Sequence, residues 1–438
     1  MRALAALIVA LVASQATANP LDVYGFGARA MGMANAYTAL AADPSASYYN
    51  PAGLAMTDRV QIDAGYLLTS PTLRMNGIDQ EVDSSSGLMA GILIPGDVGP
   101  VRLAFGMAVF LPDARVSRVR ALPQFQPRFV MLDNRPQRLF ISANAAIMPY
   151  PGLSVGGGVT FVTDTHGGVK IDGALYPEAE RAVLATAVDV DFRTVRYPEA
   201  GVTWAPIPAL RIGAVYRGEV KVELDISASI SGEIRELLGA KPVSGTFDVT
   251  SFNTNLFSPQ QVFFGLGWEV TPGTLLALDF GWLDWSAFPS DTATVTIDFA
   301  LEVIDTAGLV PPSVAPVDPE FSDIFTIRVG AEQTLEALPW LDVALRAGYA
   351  FEPTPVPDQP GETNYVDTDK HLFTIGAGLG FLDPLAAGAP RPIQVDLGFQ
   401  YFHYVPRTIL KASPADLIGD YTADGHVWSF SAGARFAL

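Results

Sequence analysis

Four histidines are the residues of this 438-residue chain best suited to acid–base or metal chemistry: His166, His371, His403 and His426. They fall in different predicted strands or loops. No close metal-ligand spacing, nucleophile elbow or phosphate-binding loop accompanies them. A lipase or protease would need a Ser-His or Asp-His site assembled across strands. Cysteine is absent, which excludes thiol nucleophiles, zinc–cysteine sites and disulfides. The chain is therefore expected to be no enzyme and to use no metal or cofactor, its many carboxylates belonging to solvated loops and polar walls.

The elements around these residues point elsewhere. Arg2 precedes an apolar run over residues 3–13, and Ala16-Thr17-Ala18 offers a small-x-small cleavage site, so residues 1–18 read as an export signal. Residues 19–58 are crowded with alanine, glycine and serine, do not alternate like a strand, and carry few charges. Such a segment has to be packed inside something. Mean hydropathy is +0.26, yet after Ala13 no apolar run approaches the roughly 18 residues of a spanning helix. That combination fits an all-β transmembrane antiparallel barrel over residues 59–438, its lumen plugged by 19–58, because a barrel's strands alternate rather than run apolar. A large soluble β-protein is the alternative. The formal charge of −19 becomes −20 once Arg2 leaves with the signal, which argues against a nucleic-acid partner.

Two-residue periodicity supports the barrel. Over residues 210–226 the even positions include Leu210, Ile212, Tyr216, Val220 and Leu224, and the odd ones Arg211, Arg217, Glu219 and Glu223. One strand of that span would be about 55 Å long and would project beyond the bilayer. The same alternation recurs over 341–352, 294–303 and 428–438. Turns are expected at Pro95-Gly96, residues 149–152, residues 206–208, Pro272-Gly273 and Leu338-Pro339. Longer links are expected over 69–85, 112–136, 172–188, 232–246, 305–322 and 352–369. Alternating short and long links suit tight periplasmic turns and long outer loops, and the tally is about 14 strands within a range of about 12 to 16. Trp204, Trp268, Trp282, Trp285, Trp340, Tyr401, Tyr404 and Trp428 near strand ends fit interfacial girdles, or ordinary strand aromatics.

Particular stretches carry a resemblance. They are Gly32-Met33-Ala34-Asn35-Ala36, Asp43 through Asn50-Pro51-Ala52, residues 216–222, Trp285-Ser286-Ala287-Phe288, residues 350–357, and Asp369-Lys370-His371. In order and spacing these resemble the FadL family of outer-membrane transporters for long-chain fatty acids and aromatic hydrocarbons. The resemblance implies a 14-stranded barrel closed by an N-terminal hatch. It also implies capture of ligand between outer loops and sideways exit at a kink in the third strand. An oily molecule gains about 25 cal/mol per Å² of apolar area it buries in such a lumen, and proline can interrupt a strand ladder to make a door.

On that basis Asn50, Pro51 and Ala52 are expected at the hatch, and Phe110, Leu111 and Pro112 at the lateral opening. Each has a plainer reading, as a turn before the first strand and as the start of an outer loop. Lys170 corresponds to a cation that holds the ligand carboxylate. A second family cation falls near Val317, where residues 315–320 hold no Lys or Arg. Glu352 matches an acidic position facing the hatch, though a salt bridge with Arg346 explains it equally. The expected partners are a long-chain fatty acid or another hydrophobic small molecule, with outer-membrane lipid and lipopolysaccharide around a monomer. A hydrocarbon channel and a structural or adhesive barrel are the alternatives.

Overall fold

The computed structural model describes residues 20–114, 126–132, 138–175, 183–234, 243–289, 294–301, 318–361, 363–381 and 393–438. The expected export signal, the Val317 position and His166's side chain lie outside the described residues.

Alternating sequence becomes a closed ring of 14 antiparallel strands. The first half comprises β1 (Gln61–Met75), β2 (Ser86–Val98), β3 (Val101–Pro112), β4 (Phe140–Tyr150), β5 (Leu153–Leu175), β6 (Val183–Ile207) and β7 (Leu210–Arg217). The second comprises β8 (Gln261–Thr271), β9 (Thr274–Leu283), β10 (Ile324–Leu338), β11 (Leu341–Glu352), β12 (Lys370–Phe381), β13 (Ile393–Ile409) and β14 (Tyr421–Ala437). Each pairs with the next, and β14 returns to β1 from Gln61↔Ala437 to Met75↔Ala423. No edge is left open at that seam, as a bilayer requires.

The two faces of each strand meet different surroundings. Phe264, Phe280, Ile327, Leu345, Phe373 and Ile375 are exposed on the outside. Glu199, Arg217, Asp279, Glu332, Arg346 and Asp396 are buried on the inside of the same wall. A soluble sandwich would reverse that distribution; a lipid-facing barrel demands it. Trp204, Trp268 and Trp340 are half exposed beside the short turns and form a girdle there. Trp285 and Tyr404 are buried instead, so they are not girdle residues.

Several boundaries differ from the sequence reading for local reasons. The 210–226 strand breaks after Arg217, because the Gly218 amide turns to the Pro198 carbonyl at 2.8 Å. Beyond the break, Val220–Ile234 pairs with Val243–Ser258 and with the outer part of β5, outside the ring proper. Thr294–Leu301 adds to Val243–Ser258 and is likewise no membrane strand. The longest strands are β5 and β6, at 23 and 25 residues, so the 172–188 link is shorter than expected. Pro95 and Gly96 lie within β2; the turn comes at Gly99, whose φ of 63° suits glycine.

Candidate functional site

The N-terminal segment folds into short pieces: α1 (Pro20–Tyr24), α2 (Ala28–Met31), α3 (Ala46–Tyr49) and a 3-10 turn, Pro51–Met56. Helices this short have little stability of their own; the wall supplies it. Thr374 of β12 accepts from the Ala34 amide at 3.0 Å and donates to the Gly32 carbonyl at 3.0 Å. Asp279 of β9 accepts from the amides of Tyr37 and Thr38 at 3.0 and 2.9 Å. Ser142 and Asn144 of β4 donate to the Ser47 carbonyl. Arg217 of β7 donates to the Tyr48 carbonyl at 2.6 Å and lies over that ring. A segment bonded to strands all round a closed ring lies in its lumen.

Small residues make this possible. A Cβ on Gly156 of β5 would come within 2.5 Å of the Pro51 carbonyl carbon, and one on Gly348 of β11 within 2.6 Å of Met33 backbone. The alanine-rich segment and the glycine-dotted wall approach backbone to backbone.

Asn50, Pro51 and Ala52 sit at the centre of this docking. Asn50 Nδ2 donates to the Thr38 carbonyl at 2.9 Å and to Thr203 Oγ1 at 3.1 Å, while its Oδ1 accepts from the Ala52 amide and caps the 3-10 turn. Ser154 of β5 donates to the Ala52 carbonyl at 2.6 Å. The triplet's polar contacts therefore go to β5 and β6. Ser47 and Leu54, on either side of it, reach β3 at Gly106.

Phe110, Leu111 and Pro112 occupy the outer end of β3. Phe110 is fully buried against Gly87, and Leu111 is exposed on the lipid face. Pro112 faces Gly87 in an unbroken β2–β3 ladder, whereas the β3–β4 ladder stops at Phe110↔Phe140. Lys170 lies on β5 opposite Ala187, and its side chain is outside the described residues. Glu352 ends β11 and pairs with Lys370 at 2.9 Å, not with Arg346. Arg346 is engaged by Glu332 at 2.5 Å and Asp396 at 2.7 Å.

At the outer mouth an apolar cluster gathers Phe257, Trp285, Phe288, Phe321, Tyr365 and Met131. Phe288 and Phe321 stack with centroids 4.3 Å apart. Between this cluster and α1 lies a small cavity lined in part by Asp22, Val23, Met131, Trp285, Glu352 and Lys370. Lys370 also contacts Asp367 at 3.3 Å, so two carboxylates flank this one ammonium. Periodicity could place Asp279 and Arg217 on the inner face. It could not name their partners in the first 56 residues, because no spacing links them.

Lipid-facing wall, polar interior and luminal N-terminal segment define an outer-membrane transport barrel. The chain belongs to the outer membrane protein transport protein family (OMPP1/FadL/TodX), whose model matches residues 9–436. It is a transporter of the FadL/TodX type for hydrophobic compounds. Among relatives, alkane uptake protein A of Marinobacter nauticus is 23% identical over 409 residues, covering 88% of this chain and 84% of that protein. A Pseudomonas aeruginosa FadL homologue superposes with a TM-score of 0.58 at 15% identity, over 97% of this chain and 98% of its own. The toluene transporter TodX of P. putida gives 0.54 at 13% identity, over 95% of this chain and 99% of its own.

Proposed function

We propose that this barrel takes up neutral hydrocarbons in preference to long-chain fatty acids. The observation that carries the reading is the state of Lys370. It is the cation lining the cavity beneath the outer aromatic cluster, and Glu352 and Asp367 already surround it. With Asp22 also on that cavity, an entering carboxylate meets more negative than positive charge. A neutral chain meets Phe288, Phe321, Trp285 and Met131, and gains about 25 cal/mol per Å² of apolar area buried there. The relative named for alkane uptake accords with this choice.

In this reading the aromatic cluster captures the ligand and the N-terminal segment shifts as a hatch. The ligand leaves sideways above Phe110 and Phe140, where the β3–β4 ladder ends. Such an exit returns it to hydrocarbon without a second passage through water, and it requires no energy source.

Uptake of labelled hexadecane and palmitate into cells lacking the wild-type protein, with and without plasmid-borne copies, tests the substrate. Hexadecane should enter faster, and Lys370→Ala should not slow it. Preference for palmitate, abolished by Lys370→Ala, would instead make this site a carboxylate clamp.

A further inference from the structure

The register of the last strands sets three of the chain's four histidines side by side. His371 of β12 faces His403 of β13, and His403 faces His426 of β14. Directly opposed residues on adjacent strands share one face, with Cβ atoms about 4.5–5.5 Å apart. Phe351 and Thr72 continue the row at its two ends.

The shared face is the outer one, because Phe373 and Tyr401, two residues along the same strands, are exposed. Tyr349, Phe373, Tyr401 and Trp428 form the neighbouring row on the bilayer side. Aromatic belts of this kind lie at headgroup level. The imidazoles stand one step further out, at the depth of lipid phosphates.

A metal centre would be the first thought for three imidazoles. Their rings are placed otherwise. His371 stacks on Tyr349, whose hydroxyl is 2.8 Å from Nδ1, and His426 stacks on Tyr401 at 5.7 Å. Among the described residues no group of three or more His, Asp or Glu is set to hold a metal ion. The row contains no carboxylate, and Asp424 in the next row outward is bound by Arg74 at 2.5 Å. On a chain of net charge −19 this is a stretch of wall suited to an anion. An imidazole offers an N–H donor in either protonation state, and phosphate oxygens accept.

We propose that His371, His403 and His426 seat a phosphate of an outer-leaflet lipid, the phosphorylated headgroup of lipopolysaccharide. Its acyl chains would run down the wall over Phe373, Ile375, Leu397 and Phe399, all exposed below the row.

The test uses the full barrel in detergent, with native mass spectrometry and thermal shift reporting binding of bisphosphorylated lipid A and of the same lipid after phosphate removal. His403→Ala should weaken lipid A binding about fivefold, and the triple alanine variant by roughly tenfold or more. The dephosphorylated lipid should bind wild type and variants alike. His403 is the exposed member of the row, so the single variant keeps the test valid if the triple one misfolds. Equal lipid A binding by wild type and variants overturns the proposal, as does wild-type binding indifferent to the phosphates. Competition by millimolar inorganic phosphate, or loss of binding on chelation of zinc, would overturn it in favour of a free-anion or a metal site.

Discussion

Asp43 and Arg435 join the two ends of the chain across the lumen, with Nη1 2.6 Å from Oδ2. Tyr37 and Ser45 also donate to Asp43, so this carboxylate ties three parts of the N-terminal segment to the strand that closes the barrel. Burial pushes the Asp43 carboxyl up, but the guanidiniums of Arg435 and Arg29 and these hydrogen bonds outweigh it, and its pKa is held below the ordinary value.

Removing that tie should loosen the segment and spare the ring. Asp43→Ala leaves Arg435 without its carboxylate, and breaking such a pair costs about 3 kcal/mol. Hydrogen exchange over residues 20–56 should accelerate while amides of β1 and β14 stay protected. Unchanged exchange over 20–56 would mean that the contact contributes nothing.

The same contact sets a pH dependence. Because the folded pKa of Asp43 is depressed, its contribution is full above the ordinary carboxylate range near about 4. It is lost as pH falls through the depressed value. Acid should therefore free the segment in wild type, and Asp43→Asn should already be loose at neutral pH with a weaker acid response, as read by exchange of the 36–47 amides.

Gly156→Ala places a methyl against the Pro51 carbonyl, a clash with backbone that cannot swing aside. The 3-10 turn should be displaced from β5 while the barrel still folds. Ion conductance in planar bilayers should rise well above the wild-type level. A variant that conducts no more than wild type would show that the turn does not seal the lumen.

Asn50→Ala removes both the cap of that turn and the donor to Thr203. The segment should lose about 1–3 kcal/mol of local stability, visible as faster exchange over 51–56, and Asn50→Asp should recover the cap alone.

The proposed exit between β3 and β4 can be locked directly, since the chain has no cysteine of its own. Continuing the Phe110↔Phe140 register outward makes Leu111 and Leu139 the next facing pair. A disulfide between Leu111→Cys and Leu139→Cys should stop hydrocarbon uptake, and reductant should restore it. Full uptake by the oxidised form would move the exit elsewhere.

Strand starts were legible because side-chain parity is a local property: β7 and β11 begin at Leu210 and Leu341, where the alternation places them. Parity does not reveal a change of neighbour. The 210–226 alternation continues through Gly218 and Glu219 although the ladder partner switches there. Side-chain partners were equally hidden. Glu352 and Arg346 are close in sequence, but the β11–β12 register delivers Lys370 to Glu352 and leaves Arg346 to Glu332 and Asp396. The histidine row was invisible for the same reason, since it exists only once the strands are laid edge to edge.

The β1–β14 seam dictates a timetable for biogenesis. Gln61 cannot find Ala437 until β14 has been made, so the segment over residues 20–56 must wait for that strand before it has a vessel to occupy. During that interval the alanine-rich stretch over residues 20–56, whose helices are too short to stand alone, has no wall to fold against.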